Sequence, residues 1–338
     1  MASSLAYLTS SLPGIGGILK EKSDHFRVIE ILPSVSNEGE HVSLTCTREN
    51  MTTQDVLKKL MALFSLKNKK SVGYAGLKDK EAKSTQTFSL PLGRTYSLKK
   101  AHDILTQSFP EIQIEALEKR EKKIRLGELS GNYFEVLVTN LHDLSLCMEK
   151  AQKIETFIKK EGFPNYFGPQ RFGEKGDNGE RGKEILKGKK VQSPWLKTFL
   201  LSAYQSELFN KWLSLRLDEG IFNQLCAGDA CFKEGDSRPF LYKEEKDGGS
   251  TGSYTGPLFG KKMFWPTDQP LKKEEELWRG EGQTLEQLKD FPLYGDRRIG
   301  RVKVSDLKIT PKEEGLLFEM TLPAGVFATS LLREFMKD

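Results

Sequence analysis

The sequence predicts a mixed α+β fold, a sheet with helices packed on one side, joined to a second region of different character. Three observations carry this. Strand and helix signals interleave through the first third without the regular repeat of a doubly wound fold. Near Glu161 the chain turns glycine-punctuated and highly charged, around one long helical pattern. From Gly315 onward a strand and then a short helix return.

In order, Phe26–Ile31 reads as a strand. Thr52 to Leu66 reads as a helix, because Thr52 or Thr53 can cap it and Val56, Leu57, Leu60, Met61 and Phe64 share one face. Val72 to Ala75 reads as a short strand and Gly76 to Lys80 as a loop, with a strand from Thr85 to Leu90 ended by Pro91-Leu92-Gly93. A helix follows at Ser97 to Ser108, then strands at Glu111 to Leu117 and Tyr133 to Thr139 and a helix from Leu144 to Lys160. Gly162-Phe163-Pro164-Asn165 breaks the pattern, and the polar run Glu174 to Lys190 reads as a mobile loop. Ser193 to Leu217 is a long helix with Phe199, Leu200, Ala203, Leu208 and Trp212 on its apolar face. Lys243 to Ser253 reads as a second flexible loop, Gly315 to Leu322 as a strand and Ala328 to Met336 as a helix.

At 338 residues, 37% hydrophobic and 29% charged, the chain has the apolar mass for roughly two ordinary domains. No apolar run reaches the ~20 residues that span a bilayer, and Met1 to Leu12 lacks the basic start of a signal peptide. Cys46, Cys147, Cys226 and Cys231 are scattered without a Cys-x-x-Cys pair, so they read as reduced thiols of a cytoplasmic protein, with no zinc site. His25, His41, His102 and His142 are equally dispersed. Gly-Lys pairs at 182, 188 and 260 lack the Ser or Thr of a phosphate-binding loop, and Gly14-Ile15-Gly16-Gly17 is no dinucleotide fingerprint. The expectation is therefore an activity without metal or nucleotide cofactor.

The net charge of +5 is concentrated. Lys67 to Lys83 holds six lysines against Asp79 and Glu81, and Lys119 to Arg125 holds five basic residues against Glu121. Each window is net +4, which leaves the rest of the chain net negative. Such clustering suits a polyanion-binding face, although either run alone also fits a solvated loop. In Gly73 to Gln86 a strand ends in a glycine turn that presents Asp79 among Lys78, Lys80 and Lys83. Those cations favour an ionised carboxylate, and an ionised, rigidly held one suits a nucleophile or base. The structural alternative is a charge-rich turn whose lysines Asp79 balances.

Gly76-Leu77-Lys78-Asp79 with Thr85-Gln86 resembles the motif bearing the catalytic aspartate of the TruD family of pseudouridine synthases. Further segments resemble that family in order: Lys20 with Phe26 to Glu30, Gly131-Asn132-Tyr133-Phe134, Asn165 to Gly173, Phe199 to Ser206, Gly256 to Gly260, and Leu322 to Ser330. They run from about residue 20 to 335. Lys80 stands where arginine is frequent and Pro169 where glutamate is common; neither change removes a reactive group.

The resemblance implies a catalytic domain with a largely antiparallel mixed sheet (residues 1–160 plus 305–338), interrupted by an inserted TRUD domain at 161–304. It implies isomerisation of uridine to pseudouridine in tRNA, usually uridine 13 in the D-arm, by a cytoplasmic monomer. Asp79 is the implied catalytic residue. Phe26, Phe134 and Phe327 would line the uracil pocket, Asn132 would hydrogen-bond the target nucleotide, and Lys20 would contact the aspartate or a phosphate. Lys78, Lys80 and Arg171 are the expected RNA-backbone contacts. Each has a plainer reading: strand phenylalanines are usually core, Asn132 after Gly131 is ordinarily a turn residue, and Gln170-Arg171-Phe172 fits an interdomain join. The competing class is a non-catalytic RNA-binding protein or chaperone on this scaffold, which would lack the aspartate or the pocket ring. A metabolic enzyme would need a cofactor or metal constellation.

Overall fold

The computed structural model describes residues 5–36, 38–236, 238–247 and 252–337. The fold is mixed α+β and divides into two compact units, residues 14–155 with 304–326, and residues 1–13, 156–303 and 327–338.

The first unit is built on a seven-stranded sheet. Its strands are β1 (Phe26–Ile31), β2 (His41–Arg48), β3 (Lys83–Leu90), β4 (Ile112–Arg120), β5 (Gly131–Thr139), β12 (Lys308–Lys312) and β13 (Gly315–Pro323). They lie in the order β12-β13-β5-β1-β3-β2-β4. β1 and β3 run parallel, and the other neighbours in this sheet are antiparallel. Helices α1 (Thr53–Leu63) and α2 (Leu98–Ser108) pack on Val42, Leu44, Cys46, Phe88 and Leu90, all at most 1% exposed. At about 1.5–3 kcal/mol for each large apolar side chain buried, this layer supplies much of the unit's stability.

Local chemistry explains the element ends. At α1, Thr52 accepts from the Asp55 N–H while the Asp55 carboxylate accepts from the Thr52 N–H at 2.9 Å. Thr52→Ala is expected to lower stability by about 1 kcal/mol, seen as a lower urea midpoint with an unchanged denaturant slope. β2, unread in the sequence, alternates Val42, Leu44 and Cys46 into the core, while Thr45 and Thr47 meet Thr87 and Thr85 at 2.9 and 2.6 Å. The expected strand at Val72 to Ala75 reduces to one bridge between Gly73 and Ser89. A Cβ on Gly73 would lie 2.3 Å from the Ile124 carbonyl oxygen, so only glycine allows this approach.

The second unit centres on α5 (Pro194–Asp218), whose Leu200, Leu201, Ala203, Leu208, Phe209 and Leu213 are at most 2% exposed. Against it pack α4 (Asn178–Leu186) and α7 (Asp268–Gly280), and the unit also holds α6 (Glu244–Asp247) and α8 (Ala328–Met336). A four-stranded sheet orders β10 (Asp296–Ile299), β9 (Ser253–Leu258), β7 (Ala230–Phe232) and β8 (Pro239–Leu241), and β6 (Phe163–Pro164) pairs with β11 (Arg301–Val302). Helix α3 (Leu144–Glu161) completes the chain. The loop expected at Glu174 to Lys190 contains α4. Its glycines are packing residues: a Cβ on Gly182 would meet the Leu200 carbonyl oxygen at 2.2 Å, so glycine lets α4 lie close on α5. Of the loop expected at Lys243 to Ser253, residues 248–251 lie outside the described residues, and Glu244–Asp247 forms a helical turn. Helix α8 and residues 5–13 pack with residues 156–303: Thr9 donates to the buried Glu334 carboxylate at 2.8 and 2.9 Å, and Ser330 donates to the Tyr166 carbonyl at 2.6 Å.

Candidate active site

Asp79 sits in the loop between α1 and β3 with its side chain 65% exposed. The loop is held from below by buried polar side chains. The Lys78 N–H donates to Thr53 Oγ1 at 2.9 Å, and Gln86 donates to the Gly76 carbonyl at 2.7 Å. Arg48, 2% exposed, donates to Gln86 at 2.9 Å and to Thr53 at 3.2 Å. Asp79 is thus presented on a loop fixed on its N-terminal side, at Gly76 and Lys78.

Glu30 and Asn132 face each other across β1 and β5, and the Lys78 side chain joins them. Its ammonium donates to Asn132 Oδ1 at 2.6 Å and lies 3.3 Å from Glu30 Oε1. The Lys78 and Glu30 side chains are only 8% and 1% exposed. Burial pushes the Lys78 pKa down, against the pull of Glu30. Glu30 also accepts from the Thr87 N–H at 3.2 Å. Lys78, expected at RNA phosphate, is therefore engaged inside the fold, whereas Lys80 is exposed.

Lys20 reaches Asp79 from the other side, with its ammonium 4.0 Å from Asp79 Oδ2, 3.9 Å from Glu81 Oε2 and 4.9 Å from the Phe26 ring centre. Its backbone is left-handed, with φ of 61°. That conformation costs a non-glycine residue roughly 1–2 kcal/mol, while ion pairs this exposed return about 0–1 kcal/mol. Phe26 meets Phe134 edge-on at 6.2 Å, each 7% exposed. Lys20, Phe26, Lys78, Asp79, Asn132 and Phe134 therefore assemble in the sheet-bearing unit.

Arg171 and Phe327 belong to the second unit. Phe327 precedes α8 and lies 6.0 Å from Phe167, with the Arg298 guanidinium 5.8 Å from its ring. Arg171 donates to Ser206 at 3.1 Å, and burial lowers its pKa. Sequence reasoning missed the roles of Glu30, Arg48, Thr53 and Arg298. Glu30 carried a signal, since a strand's two-residue period puts it on the face of Phe26 and Val28.

The two basic windows are neighbours in space. Lys123 donates to the Lys70 carbonyl at 2.8 Å, and the Ile124 N–H donates to Ser89 at 2.8 Å. Arg120 is withdrawn from this surface by its pair with Glu128 at 2.7 Å. The pKa of His41 falls through burial and then through Lys123.

An exposed aspartate clamped beside a lysine and a pair of phenylalanines, with two basic windows adjoining in the same unit, fits an enzyme acting on a polyanion. The family model for tRNA pseudouridine synthase D (TruD) matches residues 3–193 and 190–335. A tRNA pseudouridine synthase D of Thermus thermophilus is 36% identical over 98% of this chain and 92% of its own length. That of an Anaeromyxobacter species is 34% identical over 98% and 95%. A crystal structure assigned to tRNA pseudouridine synthase D from Methanosarcina mazei superposes with a TM-score of 0.77 at 22% identity, covering 98% of this chain and 96% of that one, and supports the fold. The chain belongs to the TruD family of tRNA pseudouridine synthases, whose members are isomerases.

Proposed function

We propose that the protein isomerises uridine to pseudouridine in tRNA, at uridine 13 of the D-arm, with Asp79 as the single catalytic carboxylate. Residues 1–160 and 305–338 form the catalytic domain in this reading, and residues 161–304 are the insertion. It acts as a cytoplasmic monomer without nucleotide cofactor. The observation that carries the reading is the exposed Asp79 carboxylate, held against Lys20 on a loop anchored by Lys78, Glu30 and Asn132.

The reaction breaks the N1–C1′ bond, turns the uracil, joins C5 to C1′, and moves a proton from C5 to N1. Asp79 begins it either by adding to C1′ or by taking a sugar proton to leave a glycal. Phe134 has no hydroxyl, so the C5 proton goes to Asp79 or to water. The uridine must leave its stack at a cost of a few kcal/mol, and stacking on Phe26, Phe134 or Phe327 returns about 1–3 kcal/mol. Asn132, its carbonyl occupied by Lys78, offers its amide N–H to the nucleotide. Lys20, Lys80 and Arg171 meet charged groups of the RNA; Lys78 serves the loop in the free protein.

A site-resolved pseudouridine assay on unmodified tRNA tests this. Conversion of uridine 13 by the purified protein supports it; tRNA binding with no uridine converted would leave the scaffold as an RNA-binding protein. The basic surface makes a second prediction. Lys67→Glu and Lys122→Glu should each weaken tRNA binding and reduce the slope of log affinity against log salt by about 1. Unchanged affinity at low salt would turn that surface away from RNA.

A further inference from the structure

In the second unit, aromatic rings and guanidinium groups form a continuous series of contacts. Trp195 stacks flat on Phe199, with ring centres 5.3 Å apart and planes 8° from parallel. The Arg171 guanidinium lies 5.8 Å from Phe199 and 5.8 Å from Phe167. Arg298 covers the Phe167 ring at 4.0 Å and lies 5.8 Å from Phe327. The series thus runs Trp195, Phe199, Arg171, Phe167, Arg298, Phe327. Trp195 is 72% exposed, and the other five are half-buried.

The arrangement is ordered by the fold. Trp195 and Phe199 stand four residues apart on α5, where one turn of helix brings side chains into contact. Arg298 is aimed by its bonds to the Asn165 carbonyl at 3.1 Å and to Asn165 Oδ1 at 2.7 Å, and Arg171 by its bond to Ser206 at 3.1 Å. Two cations share the Phe167 ring. Burial and then Arg171 push the Arg298 pKa down to about 9. Residues 187–197 add four lysines and no carboxylate, of which Lys189 is paired with Glu184. A bare tryptophan face beside oriented guanidinium groups matches the chemistry of unpaired nucleotides, which offer a flat ring and a phosphate at each step. A duplex keeps its ring faces stacked and would leave Trp195 unused.

We propose that this series is a binding site for unpaired RNA nucleotides, with a base stacking on Trp195 and phosphates meeting Arg171 and Arg298. The proposal rests on the reading that RNA is the substrate, and adds the part of the chain that grips it in single-stranded form. Phe327 stands at one end of the set of contacts and Trp195 at the other.

Tryptophan fluorescence titrated with single-stranded oligouridine and with unmodified tRNA tests it directly, because Trp212 and Trp278 are 7% and 0% exposed, Trp265 is half-buried and Trp195 is open, so the Trp195→Phe variant isolates its share of the signal. Both RNAs should quench the wild type, and Trp195→Phe should remove most of the quench. Trp195→Ala, a surface change, should weaken tRNA binding about 5-fold or more and raise KM with kcat held. Arg171→Lys should weaken it as well, since it keeps the charge and loses the stacking plane. Unchanged affinity and quenching in these variants would overturn the site while wild-type conversion of tRNA left the enzymatic reading standing. Equal competition by duplex RNA would overturn it too. So would a Trp195→Ala effect confined to self-association, which would make the stack a contact between copies. A wild type that bound no RNA would sink both readings together.

Discussion

Asp79→Asn is expected to lower conversion of uridine on the order of 10⁴-fold or more, as loss of a reacting group does, with little change in stability or tRNA affinity. The substitution keeps the shape and removes the charge. Because the side chain is 65% exposed and its ion pair with Lys20 spans 4.0 Å, folding loses little, within about 0.5 kcal/mol for a surface change. Lys20 keeps Glu81 as a partner at 3.9 Å. Removing a negative charge near an RNA site should leave affinity equal or slightly higher. Asp79→Glu is the sharper variant. It keeps the charge and moves it by one methylene, and a misplacement of about 1 Å costs on the order of 10²-fold in rate. Single-turnover assays of both variants with a thermal melt of each check the set. Retained turnover in Asp79→Asn would remove Asp79 from the chemistry, whichever of the two routes is followed.

What the sequence shows of this site and what it hides follow from how local each feature is. Helix α1 was legible because its cap and apolar stripe lie within a dozen positions. The carboxylate was legible because a glycine turn and a lysine cluster surround it in one segment. β2 did carry a local signal, the two-residue alternation of Val42, Leu44 and Cys46 with Ser43, Thr45 and Thr47, but not the pairing that satisfies its polar side chains. Its threonines are satisfied only by Thr85, Thr87 and Glu115 on other strands. The glycines at 179 and 182 looked like loop markers, and only the approach of the α5 backbone at Leu200 shows why a side chain cannot stand at 182. Lys78 and Lys80 are two residues apart in one charged run, yet one is buried and the other exposed. Glu30, 48 residues earlier and in a strand, makes that difference. The division of the expected pocket residues also had no local signal: Phe327 packs with Phe167 and Arg298, and Phe134 packs with Phe26.

Lys78→Met is expected to cost about 3–5 kcal/mol of stability, the usual penalty for breaking a buried ion pair from one side, and to depress turnover through the loop it anchors. Methionine fills the space but leaves the Glu30 carboxylate, 1% exposed, with weaker partners: the Thr87 N–H at 3.2 Å and the Gln86 amide at 3.5 Å. Asn132 Oδ1 loses its donor at the same time. Adding Glu30→Gln should recover much of the stability, because replacing both charges removes the stranded one. Turnover should stay low in the double variant if position, and not stability, is what Lys78 supplies. Folding lowers the Lys78 pKa, so over the interval from that lowered value up to 10.5 the unfolded chain binds more protons at this site. The site's contribution to stability therefore rises with pH through that interval, and Lys78→Met should erase that component. Urea unfolding across a pH series measures it. If Lys78→Met melts like the wild type but binds tRNA more weakly, Lys78 leaves Glu30 when RNA arrives and is the backbone contact the sequence suggested. If it melts early and binds tRNA normally at a temperature where it is folded, the lysine belongs to the architecture that holds Asp79 in place.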